Sequence, residues 1–120
     1  MENKNIDNRL YFPATTRNSD SIAKVLSNYI SHNGLILEIA SGSGEHGVFF
    51  QKNFPSIIWQ TSDPELEHRK SIISWIVHEG LSSKMPEPLN IDVEQRPWPI
   101  TNQLRTLIRG IVCINLIHIS

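Results

Sequence analysis

The sequence predicts an α/β fold with a parallel sheet and helices on both of its faces. Three observations point there. Apolar runs at 35–39 and 111–119 are nearly continuous, as strands covered on both faces require, and shorter strand signals stand at 57–61 and 89–93. Segments of helical periodicity lie between them. Helix and strand signals therefore alternate along the chain, which is the pattern of βαβ units.

The elements follow in order. Residues 1–11 are polar and read as a loose segment. Asn18-Ser19-Asp20 offers helix caps, and Ile22, Val25, Leu26, Tyr29 and Ile30 follow at helical spacing. Asn33-Gly34 stops that helix, and 35–39 is the first strand. A glycine-rich turn follows, then a helix over Glu45–Asn53 that ends at Pro55. The second strand spans 57–61. Asp63-Pro64 opens the next helix, a capping residue with proline in the first turn. Its expected apolar face is Leu66, Ile72, Ile73, Ile76 and Val77, with Gly80 just past its end. Pro86 and Pro88 mark a loop before the third strand at 89–93. The stretch 104–108 reads as a short helix, and 111–119 as a fourth strand, almost wholly apolar.

The chain has 120 residues, enough for one domain with a modest core. Apolar residues make up 39% and charged residues 19%, which places it among globular proteins. Eleven Lys and Arg against 12 Asp and Glu leave a net charge of -1, so no nucleic-acid footprint is evident. The single cysteine, Cys113, excludes an internal disulfide, fits a reducing compartment and reads as core filler. No apolar run approaches the ~18 residues of a membrane helix, and no signal core follows Met1. The expected address is the cytoplasm. The sequence stops directly after the fourth strand. A buried-type strand left at a sheet edge implies either that further C-terminal strands are missing or that a partner or second copy covers the edge.

The site reading centres on Gly42-Ser43-Gly44-Glu45-His46-Gly47, a G-x-G-x-x-G pattern between a strand and a helix. Glycines there allow a sharp turn close to a ligand, and the helix start favours an anionic group. Asp63 ends the second strand about 20 residues after Gly42, the spacing of a carboxylate that accepts from ribose hydroxyls. An Asp before Pro is equally a helix cap, and both roles can hold at once. Glu38 lies inside the first strand, where an unpaired charge is costly. It is expected to face the loop and either meet a cationic ligand group, such as an amino-acid ammonium, or pair with Arg9 or Arg17. Asp92 ends the third strand, placed to accept from an exocyclic amine such as adenine's or to cap a turn. Asn115 reaches the same crevice from the fourth strand or is satisfied inside the sheet, and His46 lines it. The five histidines show no metal-ligand spacing, and no metal site is expected.

Together, Glu38, Gly42, Gly44, Asp63 and Asp92 resemble the site of class I S-adenosylmethionine-dependent methyltransferases. That family often has glycine where this chain has Ala40, which implies a slightly less open loop. A closer resemblance is to the DUF938, or methyltransferase-like 26, family. It is carried by Pro13-Ala14-Thr15-Thr16-Arg17-Asn18, by residues 37–46, by Trp59-Gln60-Thr61-Ser62-Asp63-Pro64 and by residues 115–120, and it spans nearly the whole chain. Within that group Ala40 is normal. The resemblance implies a Rossmann-like methyltransferase domain over residues 1–120, continued by further strands and helices in its relatives. It implies S-adenosylmethionine as cofactor, with Glu38 and the loop of Ala40, Gly42 and Gly44 at the methionine end, Asp63 at the ribose and Asp92 at the adenine, while His46 lines the crevice and Asn115 and His118 border where an acceptor would sit. It does not name the methyl acceptor or a catalytic residue, although His118 stands in position for a base. Arg17 and Asn18 are placed to close over the cofactor, Arg17 reading equally as a surface cation. Two other readings stay open. A nicotinamide-dependent oxidoreductase explains the glycines and Asp63 but not Glu38 or Asp92. A non-enzymatic fragment, with possible self-association through the fourth strand, explains the bare edge.

Overall fold

The structure, a computed structural model, describes residues 7–12, 21–28 and 33–114. Three parallel strands form the sheet: β1 (Gly34–Glu38), β2 (Ile57–Gln60) and β3 (Ile108–Val112), in the order β2-β1-β3. The register sets Ile36 beside Trp59 and Glu38 beside Val112, with an irregularity between Leu35 and Ile36 on the β3 side. Between the strands run helices α1 (Glu45–Asn53), α2 (Leu66–His78) and α3 (Asn102–Leu107). Residues 21–26 are helical as well.

Alternation along β1 sends side chains to two cores. Ile36 joins Val48 and Phe50 of α1, Ile57 and Trp59 of β2, and Ile72 and Ile76 of α2. Leu35, Leu37 and Ile39 pack on the opposite face with Ile91, against which Trp98, Ile100 and Leu104 of α3 lie. Helices thus cover both faces, as expected. Gln51 of α1 ties the first layer down. Its amide donates to the Ile57 carbonyl at 2.6 Å and its oxygen accepts from the Trp59 N–H at 2.9 Å.

The structure corrects several expected elements. α2 begins at Leu66, not at Pro64, because Asp63 Oδ1 accepts from the Glu65 N–H and closes a turn before the helix. Its buried face is Ser71, Ile72, Ser74 and Ile76, while Leu66, Ile73 and Val77 are exposed. The serines are inside because they are hydrogen-bonded: Ser71 Oγ donates to the Ser43 carbonyl and accepts from the Leu10 N–H, and Ser74 Oγ accepts from the Asn8 N–H. The third strand shrinks to one bridge, between Ser62 and Leu89. Pro86 and Pro88 donate nothing before it, and the Asp92 carbonyl bends into a turn with the Gln95 N–H just after. The fourth strand begins earlier than expected, at Ile108, directly after α3, whose Thr101 cap accepts from the Leu104 N–H. In the helical residues 21–26, Ile22 and Leu26 pack on the core but Val25 is exposed. Tyr29, Ile30 and residues 115–119 of the expected fourth strand lie outside the described residues. Among the described residues no helix is long and apolar enough to cross a membrane.

Candidate functional site

The chain leaves β1 through a turn with Ala40 at φ 55°, Gly42 at 64° and Gly44 at 97°, and enters α1 at Glu45. A left-handed backbone at Ala40 costs about 1 kcal/mol, so the turn is held by its surroundings. The Ser41 N–H donates to the Ser62 carbonyl at 2.8 Å, and the Ser62 N–H donates to Ser41 Oγ at 3.0 Å. Ser62 Oγ donates to the Glu38 carbonyl at 2.6 Å. These bonds clamp the ends of β1 and β2 together beneath the turn. Packing there leaves no room for side chains. A Cβ on Gly44 would stand 2.9 Å from Ile72 Cα, and one on Gly47 2.9 Å from Thr61 Cγ2. We expect Gly44→Ala to lower stability by about 2 kcal/mol in urea denaturation, through strain and the clash with backbone. Gly80→Ala, at φ 70° with nothing within 4 Å, should cost visibly less.

Glu38 is fully buried at the foot of the turn, beside the Ser41 hydroxyl and the start of α1, and its Oε1 accepts from the Trp59 indole N–H at 3.0 Å. Of the two expected cations, Arg9 pairs with Asp7 instead, and Arg17 lies outside the described residues. Among the described residues its Oε2 has no hydrogen-bond partner, and neither has the buried Thr61 hydroxyl. Burial pushes the Glu38 carboxyl up to about 7, hydrogen bonding from Trp59 and Ser41 opposing and the nearby Asp63 charge reinforcing the shift.

Asp63 is buried where β2 ends, and protein donors surround it. Oδ2 accepts from the Gly42 N–H at 2.9 Å. Oδ1 accepts from the Glu65 N–H at 2.9 Å and lies 3.1 Å from His68 Nδ1. Arg69 donates to the carbonyls of Asp63 and Pro64, fixing the same corner. Its cap role is thus visible, in a turn rather than at the helix proper.

The other expected residues separate. Asp92 Oδ1 accepts from the Glu94 N–H at 3.0 Å, the turn-capping arrangement. His46 does not line a crevice. Its ring is buried and stacked on Phe50, with centroids 5.5 Å apart and planes 2° apart. Cys113 is exposed rather than core filler. Asn115 and His118 lie outside the described residues, as does Asn18. Among the described residues no cluster of three or more His, Cys, Asp or Glu is arranged to hold a metal.

Two neighbours of the turn escaped the sequence reading. Glu45 Oε1 accepts from the Phe12 N–H at 2.6 Å and from Ser43 Oγ at 2.8 Å. It fastens the extended segment 7–12 to the turn. That segment also rests on α2, where Leu10 accepts from the Trp75 indole and Phe12 meets His68 edge to face at 5.8 Å. His68 is the second. An acid in the first helical turn is the only sequence signal for Glu45, and nothing local signals His68.

Comparison with known proteins agrees with the fold. The model of the family described as "Protein of unknown function (DUF938)" matches residues 9–120. Among solved structures, YjhP from E. coli is similar with a TM-score of 0.52 at 20% identity, over 68% of this chain and 31% of that one. Coclaurine N-methyltransferase bound to N-methylheliamine and SAH is similar with a TM-score of 0.58 at 8% identity, over 84% of this chain and 28% of that one. The chain thus spans about a third of the length of these structures. At these identities the likeness is one of fold: a Rossmann-like, methyltransferase-like α/β fold, of which this chain matches a part.

Proposed function

This chain belongs to the DUF938 family, and from its own site we propose that it binds S-adenosylmethionine as the cofactor-binding part of a methyltransferase. One observation carries the reading. The turn at 40–44 sits between the ends of β1 and β2, and directly below it lies an acid inside the strand, Glu38, with an unpartnered buried oxygen. A purely structural acid at that depth would be expected to have both oxygens matched. An orphaned acceptor beside the turn suits an ammonium donor, which a nicotinamide dinucleotide does not offer.

In this proposal Glu38 and the backbone of 40–44 hold the amino-acid end, with Asp63 toward the ribose. Asp92 is assigned to the adenine, and Asn115, on the sequence alone, to the border where an acceptor would sit. The chemistry such a cofactor brings is a methyl group on a good leaving group, a sulfonium. The protein's part is then alignment and exclusion of water, and the rigid clamp of Ser41 and Ser62 serves alignment. The methyl acceptor is a small molecule or macromolecule that this site does not specify. The finer grouping with the methyltransferase-like 26 proteins belongs to the proposal and is carried by the motifs at 37–46 and 59–64. So does a cytoplasmic address, for which the lone cysteine speaks.

Calorimetric titration with S-adenosylhomocysteine, with NAD as control, tests the reading. We expect micromolar binding of the first and none of the second. Cooperatively folded protein that binds NAD alone, or neither, overturns it.

A further inference from the structure

We propose that His68 is a built-in competitor for the ribose acid, so that cofactor binding at this site requires His68 to release Asp63. The inference rests on the cofactor reading above and goes beyond it by naming a group that opposes binding.

The argument is a count of acceptor positions. A carboxylate offers about four lone-pair sites, two on each oxygen. Among the described residues three protein donors converge on Asp63: the Gly42 N–H on Oδ2, and the Glu65 N–H with His68 Nδ1 on Oδ1. One site remains, on a residue with only 3% of its surface exposed. A ribose presents two vicinal hydroxyls, so two-point recognition needs a second site to open. Two of the three present donors are backbone groups that hold the turns before and after Asp63 and cannot leave without unwinding them. The third is a side chain at the rim. The His68 side chain is 32% exposed, and its ring is flanked by the edge of Phe12 rather than walled in. It alone can swing away by rotation about its own bonds.

A hydrogen bond from a ring N–H to a carboxylate is of the charge-assisted kind, so giving it up on release subtracts from cofactor affinity.

The experiment is calorimetry of S-adenosylhomocysteine with the wild-type chain and His68→Ala under one buffer condition, with thermal melts confirming that both are folded. The variant should bind about tenfold more tightly than the wild type, because no ring N–H has to be released from Asp63. Binding by His68→Ala where the wild type shows none supports the inference still more strongly. Equal or weaker binding by the variant overturns it while leaving the cofactor reading intact. No binding by either folded protein removes the cofactor reading and the inference with it.

Discussion

Asp63→Ala is expected to lose about 3–4 kcal/mol of stability and, in protein kept folded at low temperature, about 30–100-fold in affinity for S-adenosylhomocysteine. The stability loss follows from the donors left behind. The Gly42 N–H sits in a buried turn whose neighbours Ser41, Ser43 and Gly44 are also buried. Without the carboxylate it has no acceptor, and an unmatched buried donor costs about 1–3 kcal/mol. The Glu65 N–H, in a more open place, loses the bond that closes the turn before α2. Asp63→Asn refines the test. It keeps the volume and one acceptor oxygen but turns an NH2 group toward a donor, either Gly42 or the pair on Oδ1. Its stability should fall between the wild type and Asp63→Ala, while its binding should fall nearly as far as alanine's. Urea denaturation and calorimetry read the two quantities separately. A variant that binds normally but melts early would leave Asp63 as a structural residue alone.

The site is a place where local sequence and distant packing supplied different parts. The turn itself was legible, because an apolar run broken by Gly42 and Gly44 before a helical pattern has few other solutions, and the helix over Glu45–Asn53 follows from it. The buried face of α2 was not. Ile73 and Val77 are more apolar than Ser71 and Ser74, yet the serines are inside because their partners, Leu10 and Asn8, are 61 and 66 residues away in sequence. Periodicity counts hydrophobicity and cannot see a hydrogen bond to a remote backbone. The same holds for Glu38. Its presence in a strand was plain, but its fate depended on the register that brings Trp59 alongside Ile36 and turns the indole N–H toward the carboxyl. His68 was invisible for a related reason: its meaning lies in the bend after β2 that returns α2 toward Asp63.

Glu38 also makes the stability of this protein run against the usual direction with pH. A carboxyl held near 7 in the folded chain ionises near 4.5 in the unfolded one. Between those values the folded state keeps a proton that the unfolded state has lost. Stability is therefore full below about pH 4.5 and falls as pH rises, until the folded carboxyl has itself ionised above about 7. The expected loss from this group is about 3 kcal/mol. Glu38→Gln should abolish that slope. A neutral amide oxygen can still accept from the Trp59 indole, and nothing ionises in the core. At pH 8 the variant should be about 2 kcal/mol more stable than the wild type, whereas at pH 5 the two should nearly coincide. A wild type whose stability is flat between pH 5 and 8 would show that the carboxyl is not buried as described. If the cofactor reading holds, the same substitution should weaken S-adenosylhomocysteine binding, because an amide has no charge to offer an ammonium. An acid that destabilises the empty fold above neutral pH, yet is needed for binding, would be a stability cost carried for function. A Gln variant that is both more stable and equally good at binding would instead mean that Glu38 serves Trp59 alone.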